Sequence, residues 1–317
     1  WMQISRRGNY LAPGQERKRR AVPVTAPPTH GDGAPAPAPA PTPTSDAIGT
    51  AWHAVVKAHR QALASTGIAS IASTRDVVLG VRALRHCGQT TDQCIEGLLR
   101  QGLEPGQWSK VNAVLERGTI AECERVRKAT IKRLPALKSD EPAHRIYGQL
   151  YRLIDGGIDV WLHGPSGAGK TALVVQVARA QGRTFGATGK LTHESGLSGY
   201  IQPHNGQLLE TEFRRCYADD ANENGSLFLW DDADASNPQA LTWANMALSN
   251  GLCPFPDGLI EQRPKFATVF TANTVGHGAD SQYIRNAQDS ATRKRFFFIH
   301  MDYDEELEAT IAARLSS

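Results

Sequence analysis

The stretch Ile158-Asp159-Val160-Trp161-Leu162 runs directly into His163-Gly164-Pro165-Ser166-Gly167-Ala168-Gly169-Lys170-Thr171, and a helical pattern follows from 170 to 181. Residues 164–171 match G-x-x-x-x-G-K-[ST], and a strand before with a helix after is the context in which that spacing makes a phosphate-binding loop. The glycines let backbone N–H groups converge on an anion, and the helix N-terminus adds the positive end of its dipole. In this reading Gly164, Pro165, Ser166, Gly167, Ala168 and Gly169 cradle the phosphates of ATP. Lys170 reaches the β- and γ-phosphates, and Thr171 offers its hydroxyl to Mg²⁺.

Working outward, short apolar runs recur at 158–162, 184–188, 226–230, 266–272 and 296–301. Helical patterns at 170–181, 207–219, 238–249 and 304–314 separate them. Strands alternating with helices imply βαβ units and a parallel sheet buried on both faces. The expected fold is α/β: a P-loop NTPase three-layer sandwich with a parallel five-stranded sheet, plus a small all-helical domain.

The run Leu227-Phe228-Leu229-Trp230 ends in Asp231-Asp232. A phosphate loop needs a carboxylate at a neighbouring strand end to hold the metal's water shell, so Asp231 is assigned to Mg²⁺. Asp232 is assigned as the base that orients the attacking water. A solvated turn is the competing reading of this Asp-Asp-Ala-Asp run. The strand Phe266–Phe270 ends in Thr271-Ala272-Asn273. Placed between the loop strand and the acidic strand, Asn273 can bond the γ-phosphate or the water.

Residues 1–45 combine a basic segment (Arg6, Arg7, Arg17, Lys18, Arg19, Arg20) with the run Ala-Pro-Ala-Pro-Ala-Pro-Ala-Pro-Thr-Pro-Thr, which favours extended polyproline II. They are expected to be a disordered tail whose basic cluster offers weak support for a nucleic-acid or acidic partner. Residues 46–135 read as a small helical domain and 140–317 as the nucleotide-binding core. In the helical part, Trp52, Val55, Val56, His59 and Leu63 share one stripe at helical spacing. Ser73-Thr74 and Thr90-Thr91 are N-cap signals, and further helices follow Pro105 and span 119–133.

The chain has 317 residues, 40% hydrophobic and 21% charged, with net charge +3. That balance gives no general attraction to nucleic acid. Five dispersed cysteines without a C-x-x-C pair argue against a disulfide framework or zinc site and for reduced thiols. No run reaches the ~18 apolar residues of a membrane helix, and no apolar leader follows Trp1-Met2. A cytoplasmic protein without a membrane partner is expected. A GTPase is disfavoured by the lack of an N-K-x-D motif, and a small-molecule kinase by the lack of a lid arginine cluster after the core.

In order and spacing these motifs resemble the AAA+ ATPases, specifically the dynein-related branch that includes MoxR-like and CobS-like proteins. The residues carrying the resemblance are GPSGAGKT (164–171), LTHESGLSGY (191–200), LFLWDDADASNP (227–238), FPDG (255–258), FTANTVGHGAD (270–280) and ATRKRFFFIHMDYDEELE (291–308). The resemblance makes Asp231 and Asp232 the Walker B pair and Asn273 sensor 1. It makes Arg295 the finger that completes a neighbouring subunit's ATP site, with Arg293 and Arg285 as substitutes. It also implies ATP hydrolysis, a self-assembled ring, commonly a hexamer, and an unidentified protein client.

Three departures stand out. Asp232 replaces the usual Glu, and Lys294 replaces the usual Asp before the finger. The family's lid follows the core, whereas here 50–118 resembles such a lid, which would make Arg75 the sensor 2 candidate in a permuted arrangement. Alternatives of other classes are an ATP-gated assembly module with little turnover and a nucleic-acid motor.

Overall fold

The computed structural model describes residues 47–131, 134, 137, 139 and 141–315. The basic segment and the Ala-Pro run, with the partners suggested for them, lie outside these residues.

Helix α1 (Ala47–Thr66) buries the predicted stripe of Trp52, Val55, Val56, His59 and Leu63. Helix α2 (Thr74–His86) starts at Ser73, whose hydroxyl accepts the Asp76 N–H while Asp76 Oδ2 accepts the Ser73 N–H at 2.6 Å. That reciprocal cap satisfies two amides the helix cannot. Thr90 and Gln93 repeat the device at α3 (Thr91–Cys94), which passes through a π turn (Ile95–Leu99) into a 3₁₀ turn (Arg100–Gly102). Helices α4 (Pro105–Val114), α5 (Arg117–Thr130), α6 (Tyr147–Asp155) and α7 (Lys170–Ala180) follow.

Nine strands occur among the described residues: β1 (Val160–His163), β2 (Thr184–Thr188), β3 (Tyr200–Ile201), β4 (Leu208–Leu209), β5 (Ser226–Trp230), β6 (Leu252–Phe255), β7 (Gly258–Glu261), β8 (Ala267–Ala272) and β9 (Phe297–His300). Five form one parallel sheet in the order β2-β5-β8-β1-β9. The remaining four make two antiparallel hairpins, β3–β4 and β6–β7.

Two expectations shift. The 207–219 helix begins only at Glu212, because Leu208–Leu209 pair with Tyr200–Ile201 and Thr211 caps the helix by accepting the Arg214 N–H. The 238–249 stretch is two short helices, Pro238–Trp243 and Asn245–Asn250.

Alternation along the strands divides the core. Val160 and Leu162 face α6 and α7 through Leu150, Leu153, Leu173 and Val177. Trp161 faces the other way, stacked on Phe298 at 5.2 Å amid Phe270 and Phe296. The helices α1–α3 share the first of these cores: Trp52, Leu84 and Leu98 pack in it with Phe297 and Ile299 of edge strand β9. The contact is close. A Cβ on Gly97 would sit 2.4 Å from the Phe297 ring, so only glycine lets the π turn lie against β9. Each such fully buried side chain stabilises the fold by roughly 1.5–3 kcal/mol.

Candidate nucleotide site

The loop between β1 and α7 has the left-handed glycines that its motif demands, with φ of 84° at Gly167 and 88° at Gly169. Gly164 serves a different need: a Cβ there would lie 1.9 Å from the Met301 carbonyl. Its N–H donates to Ala272 O, and Met301 N–H donates to His163 O at 2.8 Å, so the loop's start is wedged between the ends of β8 and β9.

Lys170 Nζ donates to Gly164 O (2.8 Å), Pro165 O (2.9 Å) and Asn273 Oδ1 (3.0 Å). The ammonium is thus pulled onto its own loop and onto the end of β8. Partial burial lowers its pKa, opposed by the charges of Asp232, Asp234 and Asp231. Thr171 Oγ1 donates to both oxygens of Asp231 at 3.0 and 3.2 Å, and Thr271 Oγ1 donates to Asp231 Oδ1. A hydroxyl beside a carboxylate at the head of a helix is an oxygen donor set that suits Mg²⁺. The residues therefore fit that ion; bound there, it would neutralise charge between the β- and γ-phosphates.

Asp232 follows at φ 54°, ψ 42°, left-handed and non-glycine, with its carboxylate largely exposed. Aspartate tolerates this conformation better than most residues, and it turns the side chain off the strand end. Lys170, Thr171, Asp231 and Asn273 therefore converge, joined by hydrogen bonds across β1, β5 and β8, with Asp232 next in chain on the same turn.

Sequence reasoning passed over Asp234. It is fully buried, and its Oδ2 accepts from Asn273 N–H (3.1 Å), Thr274 N–H (2.9 Å) and Thr274 Oγ1 (2.9 Å). Its Oδ1 accepts from Arg285 Nε at 3.1 Å. This carboxylate shapes the turn that presents Asn273. The only sequence trace of it was the third Asp of the run at 231–234.

Two tyrosines were also missed. Tyr283 Oη accepts the Ser166 N–H at 3.0 Å, and Tyr303 Oη donates to Ser166 O at 2.9 Å. Beside the loop lies a cavity of about 700 Å³ walled by Pro142, His144, Leu173, Met301, Leu307 and Ile311. That size and apolar lining suit a nucleoside. Its walls come from the segment before α6 and from the helix Glu305–Leu315. Asp304 ties them together by accepting the Arg145 and Leu307 N–H groups, which hold its carboxyl below the usual carboxylate range.

The remaining basic candidates lie elsewhere. Arg295 Nε donates to Ser249 Oγ (2.6 Å) and Asn245 O (3.3 Å), and Arg75 Nη2 donates to the same Ser249 Oγ (3.3 Å). Those two arginines are brought together on the helix Asn245–Asn250, and neither lines the nucleoside cavity. Arg293 is buried, bonded to Gln101 O and His277. Lys294 reaches into the helices, with Nζ 3.8 Å from the buried carboxylate of Asp76 and 3.4 Å from Leu98 O. The departure at Lys294 thus has a packing cause: it fastens the segment before β9 to α2.

A five-stranded parallel sheet whose adjacent strand ends carry the phosphate-loop sequence, an aspartate and an asparagine has the P-loop NTPase fold. No family model matches the chain. It is 24% identical over 242 residues to the gas vesicle ATPase GvpN1 of Halobacterium salinarum, an alignment taking in 68% of this chain and 65% of that one. The chain therefore spans just under two thirds of that relative's length. That relative is by name an ATPase, in keeping with the P-loop NTPase fold of this chain. Solved structures similar to it include a Cytophaga hutchinsonii protein described as an ATPase (TM-score 0.42, 19% identity, 55% of this chain and 52% of that one). A RuvB variant from Thermotoga maritima has a TM-score of 0.36 at 19% identity, over 50% of this chain and 43% of that one. At those scores the likenesses carry no weight beyond the geometry. Among the described residues, no helix is long and apolar enough to cross a membrane.

Proposed function

We propose that the chain binds Mg·ATP at the 164–171 loop, hydrolyses it, and uses the cycle to remodel or assemble a protein partner as a self-assembled ring. The observation that carries this is the bonded set Lys170–Asn273 and Thr171–Asp231, which joins the loop to two neighbouring strand ends. Lys170 would leave the loop carbonyls for the β- and γ-phosphates, and Asn273, released from it, would bond the γ-phosphate or the attacking water. Asp232 would take the water's proton. Arg295, with Arg75 beside it, would be offered to the ATP of a neighbouring subunit, where a guanidinium stabilises charge on the transferring phosphoryl group. GvpN1 is by name an ATPase of gas vesicles, so a vesicle-forming protein assembly is one class of client to test.

The test is steady-state ATP turnover alongside solution mass with and without nucleotide, for wild type, Lys170→Ala and Arg295→Ala. Turnover lost in both variants, with ATP binding lost only in Lys170→Ala, is the expected result. Turnover unchanged by Lys170→Ala would overturn the reading. A second reading, an ATP-gated assembly module with little turnover, is favoured by one observation: the short Asp232 side chain stands 3.7 Å from the Arg285 guanidinium. Nucleotide-dependent assembly without measurable hydrolysis would select it.

A further inference from the structure

The segment after β8 carries no regular structure, yet it is fastened at every turn. Asp280 Oδ1 accepts the Gln282 and Tyr283 N–H groups. Asn286 N–H donates to Asp234 O, and its side-chain amide donates to Ala235 O and Ser236 O. Gln288 Nε2 donates to Ser236 O at 3.0 Å. Between these fixings, Tyr283 touches the phosphate loop and Arg285 touches the acidic turn. The two side chains meet, with the guanidinium 5.4 Å from the Tyr283 ring centre.

Arg285 has little freedom. Its Nε is bound to the buried Asp234 (3.1 Å), its Nη1 donates to Ile284 O (3.0 Å), and its side chain is 18% exposed. Only Nη2 is turned toward Asp232, 3.7 Å from Oδ1. Reaching a neighbouring subunit would strip a buried carboxylate of its charged partner, a costly rearrangement.

Resting on the ATPase reading above, we propose that Arg285 acts within its own subunit as a positioning residue for Asp232. Its guanidinium fixes the direction of a carboxylate that is one methylene shorter than a glutamate and carried on a left-handed residue. Tyr283 aligns the guanidinium by stacking and links it to Ser166. Loss of the arginine leaves Asp234 with its three donors from 273 and 274, so the Asn273 turn stands while Asp232 loses its guide.

The experiment compares full-length Arg285→Ala and Arg285→Lys with wild type, measuring ATP affinity with a fluorescent analogue, kcat, KM and melting temperature. For Arg285→Ala, kcat falls by about 30-fold or more while affinity and KM stay within about 3-fold, because the effect lies on the chemical step. Added guanidinium ion restores part of the loss in Arg285→Ala and none in Lys170→Ala. Cis action is read by mixing Arg285→Ala with Lys170→Ala subunits. A residue acting across the interface would restore turnover in the mixture, whereas a cis residue leaves it inactive. Regained activity on mixing, or an unchanged kcat in Arg285→Ala, overturns the proposal while leaving the ATPase reading in place. Wild-type turnover insensitive to Lys170→Ala overturns the ATPase reading instead.

Discussion

The ends of β1, β5 and β8 and the outer edge at β9 are built by opposite means. At the strand ends, polar groups meet through hydrogen bonds of 3.0–3.2 Å among Lys170, Thr171, Asp231, Asn273 and Asp234. At the edge, Trp52, Leu98 and Gly97 lie against Phe297 and Ile299, and Lys294 stands beside the carboxylate of Asp76. The difference teaches where each kind of change should be felt: on the proposed reading, side-chain chemistry at the strand ends would govern turnover, and packing at the edge governs whether the chain holds together.

The largest effect expected from that contrast is kinetic. Lys170→Ala should lower ATP turnover by about 10²–10³-fold with the melting temperature nearly unchanged; a large thermal shift would blur the division. Trp52→Ala should do the reverse. It removes a fully buried indole that donates to Asp76 O, at a cost of about 3–5 kcal/mol in chemical denaturation. A single cooperative transition is expected, since Trp52 shares its core with the sheet; a separate transition for residues 46–135 would make them an independent lid.

Asp234→Asn sits between the two regions. It keeps the shape of the hub but removes the charge that holds Arg285, so a loss of about 2–3 kcal/mol should accompany reduced turnover. Smaller still is the effect of Asp159, at the far end of β1, whose carboxyl accepts the Thr268 N–H at 2.9 Å and is pushed up to about 7 by burial. Between roughly pH 4 and 7 the folded chain keeps a proton that the unfolded chain has lost, so stability falls as pH rises through that window. Asp159→Asn should melt with wild type at pH 4 and above it at pH 8, by about 2–4 °C per kcal/mol relieved; equal melting at both would refute the assignment. The smallest effect belongs to Arg75→Ala, expected to leave nucleotide affinity within about 2-fold because the residue stands on Ser249. A tenfold loss would restore it to the nucleotide's own lid.

Much of the strand-end region was legible beforehand. Val160–Leu162, Leu227–Trp230 and Ala267–Ala272 are buried on both faces and so read as mainly apolar runs, and the polar residues that follow them are conspicuous. The helical stripe of α1 and the cap at Ser73 were legible for the same local reasons. What escaped was long-range or aperiodic. Strands of two residues, such as Leu208–Leu209, carry no pattern. The helix Tyr147–Asp155 went unread. Asp234 looked like a solvated turn because burial is conferred by Thr274 and Arg285, forty and fifty-one positions away. The departure at Lys294 has its partner in Asp76, on α2.

The closeness of Gly164 to the Met301 carbonyl has a mechanical consequence. Met301 also walls the nucleoside cavity, so the floor under the phosphates and the wall beside the base are parts of one block without a joint between them. On the proposed reading, such a block would give a bound di- or triphosphate the same rigid seat. Telling spent nucleotide from fresh would then fall to the ribbon running from Asn273 to Arg285, which rests on the block through the Ser166–Tyr283 bond.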